Sequence, residues 1–393
     1  MRKKHFLFAS VLALLCSSST LHAQDFKLTS SGYFKNQGVD VMAFDDIYPE
    51  GHQGGVCIIM NGHRVATNGD IRLEATPGQW QPVPKQLDRK LGDNSITATL
   101  CYPDSSRHLT GFNPMIYPDL HLIYTVNVES KGKNIEVTVD LDRPIPQEFI
   151  GKVGFNLEFF PGSLFGKPWI MDGQSGIFPQ QPNSPLMTTQ PNYLHTGNYH
   201  DGKKSLADMD KLIGKGYSPI VADDIISEPY AKGTKFTSRP DDPYNKVTIE
   251  SLSGDLQLFD GRMNHNNGWF VLRSNIKPGV TKGAVKWIIT PNVVADWMYQ
   301  PVIQTSQIGY HPTQDKEAVI EMDIRDNRKE TAQIIRIDAD GEKVVKNVTP
   351  ANWGKFLRYN YLKVNFTDVK EPGLYKIKYN TSVSPIFRID NDV

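Results

Sequence analysis

A chain of 393 residues exceeds one ordinary domain, so two or three folding units are expected. Its 43 basic and 43 acidic residues cancel, and without the leader residues Arg2, Lys3 and Lys4 the balance turns slightly acidic. That argues against a nucleic-acid partner, which demands a strongly basic face.

The chain opens on a leader. Arg2 to Lys4 form a positive segment, Phe6 to Leu15 an apolar one, and Ala23 in "LHAQ" a small residue before a cleavage point. Residues 1–23 therefore read as a secretory signal peptide, which predicts an exported, periplasmic or extracellular product. The apolar run falls short of the ~18 to 20 residues a bilayer crossing needs, and no later run is longer, so no membrane span is expected. Leu15 stands before Cys16, where lipidation would want a small residue. Cys57 and Cys101 are the cysteines beyond the leader. Export would permit a disulfide between them, and buried thiols are equally compatible.

Strand periodicity dominates the chain after the leader, with 31 glycines and 26 prolines dispersed along the sequence as turn residues. Leu122, Tyr124, Val126 and Val128 alternate with more polar neighbours, and so do Ile135, Val137, Val139 and Leu141 after a turn at Gly132. This predicts a hairpin with one buried face. Val153, Phe155, Leu157 and Phe159 repeat the alternation, as do Val285, Trp287 and Ile289. Between these strands, "SLADMDKLIGKG" sets Leu206, Met209, Leu212 and Ile213 on one helical face, with Ser205 as cap and Gly214 as stop. The long stretch from Phe159 to Gly202 lacks a clear strand pattern and concentrates aromatic and polar side chains, a composition typical of functional loops.

A boundary falls near residue 302. Beyond it, short strands are predicted at Ala318–Met322, Ala332–Ile337, Lys343–Val345, Leu362–Phe366, Tyr375–Tyr379 and Pro385–Ile389. "DADGEK" and "KEPGLY" supply turns between them. The expected fold class is all-β: a large antiparallel β-sandwich over residues 24–302, then a small immunoglobulin-like β-sandwich over residues 303–393.

"SQIGYHPTQDKEAVIEMD" resembles the start of the immunoglobulin-like domain that precedes the catalytic module in glycoside hydrolase family 9, the cellulase family. The resemblance runs on through Asp338 and Gly341, Trp353 and Gly354, then Phe366, Asp368, Pro372, Gly373 and Tyr375, and ends at Ser384, Phe387 and Ile389. Residues 25–300, through "FNLEFFPGSLFGKPWIMDG" and "GWFVLRSNI", look similar to the large β-sandwich ahead of that domain in some family members. In the family, hydrolysis belongs to an (α/α)₆ barrel with an Asp-Ala-Gly-Asp-like motif. No Asp-x-Gly-Asp motif occurs here, and the sequence given ends at Val393, about where such a barrel would begin. The resemblance therefore implies an accessory portion, not catalytic alone, and assigns no catalytic residue. Its partners would be a polysaccharide or oligosaccharide of β-glucan type and a catalytic glycoside hydrolase module. The alternatives are a cellulase-like hydrolase in its own right and a truncated or split product without an independent role.

Glycan hydrolysis by inversion needs two carboxylates roughly 6.5 to 9.5 Å apart across a sugar. Glu158, Asp172, Asp223, Asp224, Asp241 and Asp242 are candidates, and all serve equally well as solvated acids or turn caps. His195, His200 and Asp201 match no metal-ligand spacing, nor do Asp40, Asp45 and Asp46 open a regular calcium loop. No metal or cofactor is expected. Glycan contact is the better case, because sugar rings stack on aromatic faces while polar side chains bind their hydroxyls. Trp169 with Asp172 and Gln174 fits, as does Trp80 in "PGQWQPVPKQ". Trp287, Trp269 and Trp353 read as packing residues.

Overall fold

Alternation of apolar and polar side chains along extended backbone decides the architecture. A computed structural model of the protein describes residues 25–45, 54–74, 76–77, 84–102, 106, 120–182, 186–188, 225–263 and 268–393. Trp80, the segment 205–216 read as a helix, and His195, His200, Asp201, Asp223 and Asp224 lie outside the described residues.

Two nine-stranded sheets face each other. In the interior of the first is strand Val153–Phe159, flanked by His63–Leu73 and Phe270–Asn275. In the second, hairpin Ile123–Lys131/Asn134–Leu141 has the register its sequence implies, with Val126 opposite Val139 and Val128 opposite Val137. Strand Val285–Pro291 lies beside it, Trp287 opposite Val137. All named strand pairs in the two sheets are antiparallel.

The apolar layer between the sheets holds the large sandwich together. Trp287 is fully buried, meets Phe155 of the facing sheet edge-on at 5.0 Å, and donates its indole N–H to Ser274 Oγ at 3.0 Å. Phe159 and Phe236 make a second cross-sheet pair at 5.8 Å. One expectation changes: Val153–Phe159 has no wet face. All its residues are buried, because Asn156 and Glu158, on the side away from the core, belong to a covered polar layer. Cys57 and Cys101 fall in different sheets and remain thiols.

The second core starts at Ile303 and is built from a four-stranded and a five-stranded sheet. The "SQIGYHP" turn is its entry. Tyr310 lies between Phe366 and Phe387 at 5.1 and 5.3 Å, and its hydroxyl donates to the Glu317 carbonyl at 2.9 Å. The ammonium of buried Lys316 is wrapped by the carbonyls of Pro312 and Gln314 at 2.8 and 3.0 Å. The predicted strands are present, with three more at Val302–Gln304, Ala351–Phe356 and Ser382–Val383. Ala351–Phe356 is the longest of the three. That strand is exposed along most of its length, so no apolar alternation marks it in sequence.

The segment between the two cores is fastened to both. The Trp297 ring lies against Gly38 in a turn of the large sandwich, where φ is +67° and an added Cβ would come within 2.7 Å of the indole. Gln37 Nε2 donates to the Trp297 carbonyl at 2.7 Å. From the other side, Arg325 donates to the same carbonyl at 2.7 Å, and the Tyr299 N–H donates to Asp323 at 3.0 Å. Arg358 reaches Asp40 at 3.5 Å.

Trp287→Ala is expected to cost about 3 to 5 kcal/mol, since it removes a large buried ring and leaves Ser274 without its donor. Leu357→Ala, on the exposed tip of the small sandwich, should stay within about 0.5 kcal/mol of the parent. Urea unfolding of both variants checks the contrast, and equal midpoints would refute it.

Candidate functional site

Two arrangements concentrate side chains that can do more than pack. The first is on the outer face of the four-stranded sheet. In strand Tyr359–Asn365, Asn360, Leu362 and Val364 point inward, so Tyr359 and Tyr361 must point outward. Tyr359 stands 5.0 Å from Tyr299 and 6.1 Å from Tyr361. Trp353 then meets Tyr361 edge-on at 5.6 Å, while Trp297 meets Tyr299 at 6.4 Å. A bulge between Asn352 and Gly354 turns Trp353 onto this face. The result is a row of five rings, from the junction with the large sandwich to the edge strand.

Glu321, directly opposite Tyr361, supplies the polar counterpart. It accepts from the Tyr299 hydroxyl at 2.9 Å and the Tyr361 hydroxyl at 3.3 Å. Burial first, then these contacts with Glu321, push the Tyr299 hydroxyl further above its ordinary range, so it stays a donor. Trp353 is 56% exposed and Leu357 80% exposed, with Phe356 exposed between them. Trp353 is therefore a surface residue, which corrects its sequence reading as a packing one. Its strand is the sheet edge, and no core residue among the described ones faces it.

The second arrangement lies on the first sheet of the large sandwich, on the side away from the apolar layer. Ile71, Leu73, Phe155, Leu157 and Leu272 enter the core, so Arg72, Glu74, Asn156, Glu158 and Arg273 project the other way. All five are buried. Glu74 accepts from Asn156 at 2.6 Å and from Arg273 at 3.2 Å, and Arg273 also donates to the Glu74 carbonyl at 3.0 Å. Asn68 donates to Glu158 at 2.6 Å. Nearby, Asp70 accepts from the Tyr124 hydroxyl at 3.0 Å. Burial pushes the Glu74 carboxyl up to about 7, against the pull of Arg273 and Arg72. It pushes Asp70 up to about 6, with Arg72 opposing.

The sequence candidates take other places. Trp169 is 6% exposed, in strand Pro168–Met171 opposite Gly176, where an added Cβ would come within 2.4 Å of the indole. Its ring is covered, so it offers no face to a sugar, and the expectation for Trp169 is corrected. Asp172 accepts the N–H groups of Thr234 and Lys235 at 2.8 and 3.0 Å, and Gln174 donates to the Lys232 carbonyl at 2.6 Å. Both tie the edge hairpin to its neighbour. Asp242 is likewise a turn acid, held by Arg239. Of the carboxylate candidates, Glu158 alone joins a buried cluster among the described residues. Asp70, Arg72, Glu74, Arg273, Tyr299, Tyr361 and Glu321 escaped the sequence reading. The signal was present in "DIRLE" and "YNYLKV", where alternate positions are polar or aromatic, but it is the same signal a solvated face gives.

The cellulase N-terminal ig-like domain family matches residues 298–384, which takes in Tyr299, the Trp353 strand and Tyr361. A comparison with curated proteins finds none that matches the chain.

The raised carboxyls set a direction for stability. Folded Glu74 and Asp70 hold protons more tightly than the unfolded chain, so their contribution is fullest below about pH 4 and is lost as pH rises through about 6 and about 7. Asp323 works oppositely, but its carboxyl sits at about 2, so its loss falls at lower pH. The melting temperature should therefore fall between about pH 4.5 and about pH 7.5, and Glu74→Gln with Asp70→Asn should flatten that fall. Thermal melts across this range check it, and an unchanged slope in the double variant would count against it.

Proposed function

We propose that this protein is an exported accessory component of polysaccharide degradation, and that the aromatic row of its immunoglobulin-like domain contacts a β-glucan-type glycan. The observation that carries the reading is the row itself: Trp297, Tyr299, Tyr359, Tyr361 and Trp353 in succession on one sheet face, with Glu321 among them. Aromatic rings offer apolar faces to the C–H faces of sugars, and the hydroxyls and carboxylate beside them match sugar hydroxyls. A row also suits an extended chain better than a single ring does. The family match supports the setting, since the domain type belongs to cellulases. Residues 1–23 support export.

A second reading rests on a separate observation. Trp353, Phe356 and Leu357 form an exposed apolar edge on the same domain. In the resembling family this domain stands before a catalytic barrel, and such an edge would serve to brace a catalytic module.

Retention on insoluble or gelled polysaccharides separates the two. The intact protein should be held by at least one β-glucan, and Trp353→Ala with Tyr361→Ala should weaken retention by about tenfold or more, about 1.4 kcal/mol. If no glycan in a broad panel retains the protein, the glycan reading fails. Capture of a family 9 catalytic module, lost on Phe356→Ala with Leu357→Ala, would then support the bracing role.

A further inference from the structure

The buried polar face of the large sandwich is not needed for the aromatic row, and its chemistry is different. Arg273 is fully occupied: Nε on Asn275 at 2.7 Å, one terminal nitrogen on Glu74 and Asn156, the other on the Glu74 carbonyl. Its effect is to fix Glu74 and Asn156 in place. Arg72 is in the opposite condition. It is 5% exposed and lies within the fields of Glu158, Asp70 and Glu74, yet its Nε–H makes no hydrogen bond among the described residues. Asn68 is 7% exposed and gives its Nδ2–H to Glu158, while its Oδ1 likewise makes no hydrogen bond among them.

Leaving a buried donor or acceptor without a partner is costly, so two on one face call for an explanation. Asn68 sits at a bulge in strand His63–Leu73 with φ at +55°, a backbone state that re-aims its side chain. One orphaned atom is a donor and the other an acceptor, and a hydroxyl group satisfies either. Immediately beyond the Phe159–Phe270 pair, the half-buried rings of Phe160 and Trp269 meet edge-on at 4.4 Å. Phe160 follows Glu158 on the same face of the strand, so the ring pair continues the polar row that holds Asn68, and apolar rings next to a preset amide and carboxyl are side chains of the kind that line a site for a hydroxyl-rich ligand. Carboxylates and guanidiniums are mixed here, so the face does not select an ion of one sign.

We propose that this face is a second ligand site, which binds a neutral saccharide through Arg72 and Asn68, with Glu74 held ready by Arg273. The site is independent of the aromatic row, and the test keeps them apart. Isothermal titration of the intact protein with glucose, xylose, galactose and cellobiose is carried out in the parent and in the Trp353→Ala, Tyr361→Ala background. At least one sugar should bind saturably in both. Arg72→Lys, which keeps the charge but removes Nε, and Asn68→Gly, which tolerates the left-handed backbone, should each weaken that binding by about tenfold or more. If neither variant folds, hydrogen exchange of the parent decides: sugar should protect the amides of residues 68–74. The proposal is overturned if no sugar binds, if binding disappears with the aromatic row, if both variants bind normally, or if protection falls elsewhere. It is also overturned if a crystal soaked in the sugars shows ordered water alone on Arg72 Nε and Asn68 Oδ1.

Discussion

The strand Val153–Phe159 is buried on both faces, and the large sandwich is organised around that constraint. On one side Phe155 meets Trp287 of the opposite sheet and closes the apolar layer. On the other, Asn156 and Glu158 cannot reach bulk water and must find partners on the neighbouring strands. They find them in Glu74, Arg273 and Asn68, which converge because the register places Asn156 opposite Arg273 and Gly154 opposite Arg72. Gly154 has no side chain to block the guanidinium of Arg273, which lies within 2.9 Å of where its Cβ would be. A polar layer of this kind is costly when half satisfied. Burial holds the Glu74 carboxyl up at about 7 for that reason.

The small sandwich obeys the simpler rule of one buried and one exposed face. Its inner residues close on Tyr310, which joins the entry turn to the last strands through Phe366 and Phe387. Its outer face therefore has residues to spare. Tyr299 belongs to the connecting segment, yet its ring continues the line begun by Tyr361 and Tyr359, and its backbone is tied to Asp323. The aromatic row thus depends on how the connection is fastened as well as on the sheet.

Much of the fold was legible. The hairpin at residues 123–141 and the strand with Val285, Trp287 and Ile289 each have one buried face, and that is the pattern period-two alternation reports. Strand Ala351–Phe356 was not legible, since neither of its sides is consistently buried. Trp169 misled because Pro168 and Gly166 flank it as they would in a loop. In the fold it pairs with Gly176, and the missing side chain there is what gives the indole its place. Glu158 and Asp172 looked alike as loop or strand acids. One is buried beside Asn68 and the other caps a turn through Thr234 and Lys235.

By itself the sequence determined the all-β class, the two cores and the cellulase-type character of the second, because these follow from local alternation, turn residues and a motif of fixed spacing. Tertiary structure decided which residues form sites. Arg72 lies two strands from Arg273, and Trp353 reaches Tyr299 only through Tyr361 and Tyr359, so neither grouping exists until register brings distant strands side by side. Burial completes the distinction. An alternating polar residue reads identically along the chain whether water or protein lies above it, and only the folded sheet determines which of the two is there.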